Sequence, residues 1–594
     1  MLKNHPKGLI VAFFANMGER FGFYTMMAIL VLFLQAKFGL SAEKASGIYS
    51  WFYFAIYALA LAGGIIADAT SKYKTVILTG IIVMFIGYIF MAVPGMSLTF
   101  TVAALFTIAL GNGLFKGNLQ AVVGQMYDDP QYSKLRDSAF MIFYMGINIG
   151  AIFAPFAATG MRNWWLKVNH FAHDASLPSL CHQYINGTLT DTTAMQQLAD
   201  KVNLSGPVTD LGAFAHNYLE VFSKGYNYAF GVAAGAMVIS LLVYVFFKRY
   251  LPNKEKVVKQ EKAAQVEFKP WALVGAIIAM GITAFALSFL VDYKDALAFG
   301  LFAGFVGWIL ISAKKEEMKR VSALIMVFFV VIFFWMSFHQ NGLTLTWFAR
   351  DYTSKAVGPF TYLFFTLPSL LAVLFSILGL VLLIKKGKGQ TRLMGGALFV
   401  VALAFAYFRF TRGNDLNPIS PEIFQTFNPV FVVSLTFPIM ALFAWLNSKN
   451  IEPSTPKKIG FGMIIAACGS IVVLLSSVSL PSQPTLAGAP IDEAQRVTPY
   501  WLISTYLVLT VAELFLSPMG LSFVSKVAPS RFQGLMQGGW LLATAVGNKL
   551  LSVPGKLYDK VELYQLWAVF IVCCLLSAVF IFSFMRRLEN ATKS

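Results

Sequence analysis

Charged residues and cysteine are both scarce in this 594-residue sequence. Asp, Glu, Lys and Arg make up 12% of the chain, and three of the four cysteines lie inside apolar runs. This composition excludes a soluble globular protein, a disordered chain and a coiled coil, and it argues against a disulfide framework. The sequence also lacks a catalytic triad, a phosphate-binding loop and standard zinc-ligand spacing. We therefore expect no enzyme activity, no cofactor and no metal.

Apolar residues are abundant and fall in long runs. Hydrophobic residues make up 57% of the chain and aromatic residues 15%. Since a membrane-spanning helix needs about 20 mostly apolar residues, the sequence predicts an all-α polytopic membrane protein with about 16 helices. The predicted spans are 9–35, 48–67, 76–93, 98–121, 138–159, 226–247, 271–291, 295–312, 321–345, 359–384, 393–409, 423–446, 459–479, 499–524, 533–553 and 564–585.

The basic residues indicate which helix ends face the cytoplasm. The formal net charge is +18, with 46 Lys and Arg against 28 Asp and Glu. If the N-terminus is inside, most of the bases fall in cytoplasmic segments, as the positive-inside rule requires. We therefore expect both termini in the cytoplasm of an inner-membrane protein, in contact with membrane lipid and not with nucleic acid. The long external segment 160–225 is expected to form a small folded cap.

A few ionisable residues remain inside predicted spans, where they are costly and therefore candidates for function. The N-terminal half has more such bases than acids, whereas Glu513 supplies an acid to the C-terminal half. A cavity between the halves would then have a cationic and an anionic wall, which suits a zwitterion. The alternative is a set of internal salt bridges that locks the halves together. The residues concerned are Glu19, Arg20, Lys116, His339, Glu513 and Lys549.

Several motifs resemble those of known transporters. The stretch Gly63-Gly64-Ile-Ile-Ala-Asp68-Ala-Thr-Ser-Lys72 is similar to the loop motif between helices two and three of the major facilitator superfamily. In that motif, glycines allow close helix approach, the acid bridges helix ends, and bases lie at the cytoplasmic surface. Further stretches resemble motifs of the proton-dependent oligopeptide transporter (POT) family. They are Gly111–Asn118, Phe143–Ala151, Phe424–Pro429, Pro453–Lys458, Glu513–Gly520, Ala528–Arg531 and Gly538–Trp540.

The resemblance implies a major facilitator fold of two six-helix bundles with alternating access, plus about four extra helices. The expected divisions are an N-terminal bundle (1–250), a linker with a helical hairpin (251–319), a C-terminal bundle (320–587) and a cytoplasmic tail (588–594). An insertion at 346–419 is expected to add a transmembrane hairpin to the C-terminal bundle.

The resemblance also assigns roles to individual residues. Peptide backbone or carboxylate would be bound by bases, tyrosines and an asparagine of the N-terminal half. The peptide ammonium would be held by Glu513 with Asn428, and two tryptophans would shape side-chain pockets, although ordinary packing explains those aromatics almost equally well. The remaining predicted substrate residues are Arg20, Tyr24, Tyr57, Lys116, Asn148, Trp335 and Trp540.

The sequence departs from the family pattern on the first and seventh core helices. The first-helix motif has Asn16 in place of an acid, Phe23 in place of a tyrosine and Met27 in place of an arginine. His339 stands where many bacterial members carry an acid. We expect proton coupling to use Glu19 and His339, whose ordinary pKa is about 6.5. Alternatively, His339 is a neutral histidine that hydrogen-bonds substrate.

The sequence therefore predicts a monomeric, proton-coupled symporter that imports di- and tripeptides. One alternative is a facilitator, or a transporter of another zwitterionic solute, with altered or absent proton coupling. A second alternative is a transporter-like nutrient sensor.

Overall fold

Long helices follow the apolar runs of the sequence, because a helix satisfies its backbone hydrogen bonds internally where no water is present. The computed structural model describes residues 5–132, 135–252, 270–289, 291–385, 389–486, 488–529 and 532–593. Six spanning helices and two short ones form the N-terminal half. They are α1 (Gly8–Phe38), α2 (Ala42–Thr70), α3 (Tyr73–Ala92), α4 (Leu98–Gln125), α5 (Arg136–Val168), α6 (Leu177–Ile185), α7 (Thr193–Val202) and α8 (Leu211–Phe247).

The linker and the C-terminal half contain the remaining helices. The linker helices are α9 (Pro270–Leu287) and α10 (Tyr293–Ser312), and linker residues 253–269 lie outside the described residues. The C-terminal helices are α11 (Met318–Phe338), α12 (Thr344–Asp351), α13 (Pro359–Tyr362), α14 (Leu367–Ile384), α15 (Gly389–Thr411), α16 (Phe427–Ser448), α17 (Thr455–Ser477), α18 (Gln483–Leu486), α19 (Pro499–Val527), α20 (Gln533–Lys549), α21 (Ser552–Tyr558), α22 (Leu563–Ser583) and α23 (Met585–Lys593).

Fifteen helices in the described residues are long and apolar enough to cross a membrane. The fifteenth predicted span, 533–553, is not among them: it forms the 17-residue helix α20 and the shorter α21, with a break at residues 550–551. The predicted all-α polytopic fold is therefore confirmed. A contiguous hydrophobic core runs through both halves.

The seventh core helix is longer than predicted and is interrupted. Helices α11 and α12 are joined by a 3-10 turn over His339–Gly342, and the helical path continues to Asp351. Residues 346–351 therefore belong to this helix, and the insertion starts after Asp351 and not at residue 346. The predicted hairpin consists of α14 and α15. Its base is tied by a two-stranded antiparallel sheet, β1 (Ala356–Val357) with β2 (Asn417–Pro418), in which Ala356 pairs with Pro418.

The predicted external cap is folded, but it is shorter than 160–225 because α5 and α8 extend into that range. The cap consists of α6 and α7 with their connecting segments. A ring nitrogen of His182 contacts the carbonyl oxygen of Ala36 at 2.7 Å and so joins the cap to α1. Helix α1 ends there at Gly39, whose φ of 61° places it in the left-handed region that glycine adopts without strain. We call this end of the molecule the cap end.

Close packing of α2 against α4 depends on Gly63 but not on Gly64. A Cβ atom on Gly63 would lie 2.7 Å from the carbonyl carbon of Gly113 and 3.0 Å from Cα of Leu114. A Cβ atom on Gly64 would meet nothing within 4 Å. The expected role in close helix approach is therefore wrong for Gly64.

These neighbouring glycines form a matched pair for a stability test. Gly63→Ala should lower the melting temperature of the detergent-solubilised protein, because overpacking a tight interface costs about 1–3 kcal/mol. Gly64→Ala introduces the same methyl group one residue away into open space and should leave the melting temperature unchanged or slightly raised. Equal melting temperatures for the two variants would contradict the close packing of α2 against α4 at Gly63.

Candidate functional site

Glu19 and Arg20, the acid and the base of the first helix, form a buried ion pair with each other. Arg20 donates from Nε to Oε2 of Glu19 at 2.5 Å and from Nη2 to Oε1 at 2.6 Å. Asn112 on α4 also donates to Oε1 of Glu19, at 2.7 Å. The guanidinium lies 4.5 Å from the ring centre of Phe23, the residue that replaces a family tyrosine. The charge of Arg20 is thus neutralised by Glu19 in this structure, and its predicted role in binding the peptide carboxylate stays a prediction.

Lys116 supplies an unpaired positive charge to the N-terminal half. Its Nζ atom lies 4.3 Å from the centre of the Tyr57 ring, a cation–π contact between α4 and α2. No carboxylate forms an ion pair with Lys116 within the described ranges. A half-buried ammonium held only by an aromatic face is available for an external carboxylate.

Glu513 supplies the corresponding negative charge in the C-terminal half. Its Oε2 accepts a hydrogen bond from Nδ2 of Asn428 at 2.9 Å, and the same amide group donates to Oγ1 of Thr510 at 3.0 Å. Within the part of the chain that the structure describes, Glu513 has no cationic partner. Asn428 and Thr510 thus fix the orientation of the carboxylate and leave its charge uncompensated.

Two tyrosines connect these charges across the interface between the halves. Tyr24 and Tyr57 both belong to the N-terminal half, and both lie within electrostatic range of Arg20 and of Glu513. Tyr57 also contacts Lys116, so the unpaired charges of both halves act on this tyrosine. The structure thus brings together five of the predicted substrate residues with the Glu19–Arg20 pair. Those five are Tyr24, Tyr57, Lys116, Asn428 and Glu513.

His339 lies buried at the break between α11 and α12, between aromatic rings of both halves. Its ring stacks on Trp335, with centres 4.6 Å apart, and lies 4.7 Å from the ring of Tyr53 on α2. Its Nδ1 lies 2.5 Å from Oδ1 of Asn548. Because an amide oxygen only accepts, Nδ1 carries the proton in this contact. His339 is also within electrostatic range of Lys116, which places it at the edge of the site.

The other predicted substrate residues are less closely associated. Trp540 is buried against α19, where a Cβ atom on Gly520 would collide with its ring, so Gly520 makes room for the indole. Asn148 donates to the carbonyl oxygen of Tyr144 on its own helix at 3.2 Å. Among the described side chains, Asn148 bonds to no other predicted site residue.

The loop motif between α2 and α3 is stabilised by a local contact. The hydroxyl group of Tyr73 donates to the carboxylate of Asp68, which joins the end of α2 to the start of α3. Lys72 is exposed at the turn between these helices. The motif thus fixes the angle between two helices of the N-terminal half.

A buried ion pair between the halves closes the cap end, and the sequence analysis did not identify it. Arg162 on α5 pairs with Glu422, in the 3-10 turn before α16, and both side chains are fully buried. Arg162 also donates to Oγ of Ser420 at 3.2 Å, and Tyr226 donates to Glu422 at 3.3 Å. We call the pair Arg162–Glu422 the latch. Both residues were assigned to loops because they lie outside the apolar runs.

A second contact between the halves joins the cap to the start of the insertion. Nζ of Lys355 lies 2.8 Å from Oδ2 of Asp174 and donates to Oγ of Ser176 at 2.8 Å. The ammonium group of Lys355 and the hydrogen bonds from Ser176 outweigh burial and lower the pKa of Asp174 below its ordinary value. Since its pKa is depressed, Asp174 stabilises this contact above its ordinary pKa and loses the contribution as the pH falls.

Lys549, the remaining base within a span, is also paired. It forms a buried ion pair with Asp295 at the start of linker helix α10, and Lys556 lies 3.2 Å from the same carboxylate. Nζ of Lys549 lies 5.0 Å from the centre of the Trp51 ring on α2. The linker hairpin is therefore held at a junction of both halves.

The two helical halves present unpaired charges of opposite sign beside Tyr24 and Tyr57, and they meet in the buried latch at one end. This arrangement is typical of a membrane transporter. A profile of the POT family matches residues 73–408 and 404–567. This chain belongs to the POT family, and it is accordingly a transporter and not an enzyme. The resemblance on which the sequence prediction depended is thus confirmed.

Similar proteins align with almost the whole chain. A dipeptide and tripeptide permease B of Xenorhabdus bovienii is 25% identical, over 93% of this chain and 87% of the relative. A peptide transporter of Yersinia enterocolitica is 26% identical, over 99% of this chain and 96% of the relative. These permease relatives and the apolar helices support a multi-pass inner-membrane protein.

Solved structures share the fold. A POT family transporter in complex with 5-aminolevulinic acid aligns with a TM-score of 0.66 and 20% identity, covering 99% of this chain and 98% of that one. A mutant POT peptide transporter in complex with alafosfalin aligns with a TM-score of 0.65 and 22% identity, covering 100% and 97%. The predicted major facilitator fold is therefore confirmed.

Proposed function

We propose that this protein is a proton-coupled symporter that imports di- and tripeptides. The observation that carries the proposal is the pair of uncompensated charges, Lys116 and Glu513, on opposite halves around Tyr57. A peptide in its zwitterionic form has a carboxylate for the first and an ammonium for the second. Because these groups are common to all short peptides, such a site tolerates varied side chains. Relatives named as peptide permeases support the same substrate class.

The contacts that join the halves support a mechanism of alternating access. Hydrogen bonds between the halves at the cap end include the latch, Lys355 with Asp174, and Arg350 with Gln35 at 2.7 Å. With the cap outside and both termini in the cytoplasm, as the basic residues predict, this end is the external gate in its closed state. Import would require these contacts to break so that peptide can enter, and to form again before release.

Proton coupling is assigned to Glu19 and His339. Glu19 is held by Arg20 and Asn112, so its protonation would release Arg20 to contact a peptide carboxylate beside Lys116. His339 lies between Tyr53 and Trp335, from opposite halves, so charging its ring would alter the contact between them. In both positions a change in protonation would alter the substrate site or the interface, which supports the proposal.

Uptake of labelled dialanine into proteoliposomes, with imposed pH and voltage gradients, tests the proposed function. A symporter accumulates dialanine above the external concentration only when a gradient is present. Equilibration that ignores the gradients would support the facilitator, and binding without uptake would support a nutrient sensor.

His339→Gln tests the protonation switch. The variant should retain dialanine exchange but lose the rise of uptake on acidification, because a glutamine side chain does not titrate. His216→Gln, an exposed histidine on the cap side, is the matched control. A pH profile of His339→Gln that superimposes on the unaltered protein would reject the switch and leave His339 as a neutral hydrogen-bonding residue.

A further inference from the structure

A cavity of about 590 Å³ lies between α5 and the base of the inserted hairpin, and none of the predicted substrate residues lines it. One wall comes from the N-terminal half and the other from the segments that flank the hairpin, Tyr362–Leu367 and Pro418–Ile423. The lining is mostly aromatic and aliphatic, with Phe153, Phe156 and Phe365 among the rings. Its volume is in the range of about 300–1,000 Å³ typical of small-ligand sites.

Three lining residues of the cavity, Phe153, Phe156 and Leu367, pack against a small apolar cluster. The cluster consists of Ile152, Leu370 and Val430, so α5, α14 and α16 meet beside the cavity. Asn163, which lines the cavity, and its neighbour Trp164 are both exposed. Because α5 and α14 are both long and apolar enough to span a membrane, a cavity lined by their residues lies within reach of lipid, and its apolar lining suits an acyl chain.

Positive charge lies at the rim of this cavity. Arg409, in the last turn of α15, donates to Oγ of Ser369 at 3.3 Å, and Thr366, a lining residue, donates to the same oxygen at 2.8 Å. Arg412 follows one turn later with its guanidinium over Phe408. Over the described ranges, neither arginine forms an ion pair with a carboxylate. Arg409 is joined through Ser369 to the lining residue Thr366, and Arg412 is exposed three residues further along. Two such arginines complement a phosphate joined to an acyl chain.

We propose that the cavity binds an anionic phospholipid, with one acyl chain between α5 and α14 and the phosphate at Arg409 and Arg412. The cavity also borders the latch, since two lining residues, Asn163 and Ser420, accept hydrogen bonds from Arg162. A lipid that touches walls from both halves binds the state in which the cap end is closed, and so favours that state.

Native mass spectrometry of the purified protein, titrated with phosphatidylglycerol or phosphatidylcholine, tests the proposal. The protein should retain one phosphatidylglycerol at least tenfold more tightly than phosphatidylcholine. Arg409→Gln with Arg412→Gln should abolish this preference. Gly160→Phe should weaken retention of both lipids about tenfold, because Gly160 lines the cavity and its Cβ position is open.

Gly235→Phe is the matched control, since Gly235 on α8 also has open space around its Cβ position but does not line the cavity. Its lipid retention should equal that of the unaltered protein. Equal retention by Gly160→Phe and Gly235→Phe would overturn the proposal, as would equal affinity for the two lipids. If Gly160→Phe does not fold, the paired arginine variant still decides the outcome, because exposed arginines are replaceable without loss of the fold.

Discussion

Glu513→Gln is expected to reduce dialanine uptake about 10- to 100-fold. Glutamine keeps the shape and the contact with Asn428 but removes the negative charge that faces the peptide ammonium. Hydrogen bonds to charged groups contribute about 1.5–3 kcal/mol, and each 1.4 kcal/mol corresponds to about tenfold in affinity. Initial uptake rates measured below saturation in proteoliposomes report this loss directly.

Lys116→Gln should reduce dialanine uptake by the same factor, because it removes the positive charge that faces the peptide carboxylate. The exposed pair Lys315 and Glu316, in the turn before α11, offers matched controls. Lys315→Gln and Glu316→Gln change the net charge equally but lie outside the site, and both should transport normally. Normal uptake by Glu513→Gln and Lys116→Gln would refute the binding-site assignment.

Loss of either latch residue is expected to destabilise the protein by about 3–5 kcal/mol. Arg162 and Glu422 are both fully buried, so Arg162→Met or Glu422→Gln leaves a charge in the interior without its partner. The double variant Arg162→Met/Glu422→Gln removes both charges and should recover much of that stability. Chemical or thermal unfolding of the detergent-solubilised protein provides the comparison.

A surface ion pair near the same end supplies the control. Lys224 and Glu220 on α8 lie 2.6 Å apart, with 38% and 65% of their side chains exposed. Lys224→Gln should change stability by no more than about 1 kcal/mol. If the double variant at the latch is no more stable than the single variants, the two charges do not compensate each other and the latch is not an energetic unit.

The sequence was sufficient for the helices but not for their charged contacts. The apolar runs predicted nearly every span, because composition and length alone determine whether a helix crosses a membrane. The apolar residues on both sides of Asn548 and Lys549 make the run 533–553 read as one helix. In the structure Lys549, which ends α20, is bound to Asp295, 254 residues away, and a pairing at such a separation leaves no local signal.

The latch was missed for a related reason. The apolar run before Arg162 ends at residue 159, which predicts a loop at Arg162, whereas α5 continues to Val168. Glu422 lies in a turn before an apolar run and was likewise assigned to a loop. A sign was nevertheless available, since Pro421 and Glu422 are typical of a helical first turn.

The charged residues of the substrate site were predicted from their position in spans and from the family motifs. What the sequence could not provide is their pairing. Arg20 is bound to Glu19, its neighbour in the chain, which leaves Lys116 as the unpaired base of that cluster. One-residue neighbours on a helix do not ordinarily face each other, so the spacing argued against this pair.

The most direct test of the account is a binding comparison of dialanine, N-acetyl-dialanine and dialanine amide with the Lys116→Gln and Glu513→Gln variants. If Lys116 holds the carboxylate, Lys116→Gln weakens dialanine about 10- to 100-fold but leaves dialanine amide unaffected. If Glu513 holds the ammonium, Glu513→Gln weakens dialanine equally but leaves N-acetyl-dialanine unaffected. Losses of the same size for all three ligands would contradict the assignment of the two unpaired charges to the two ends of the peptide.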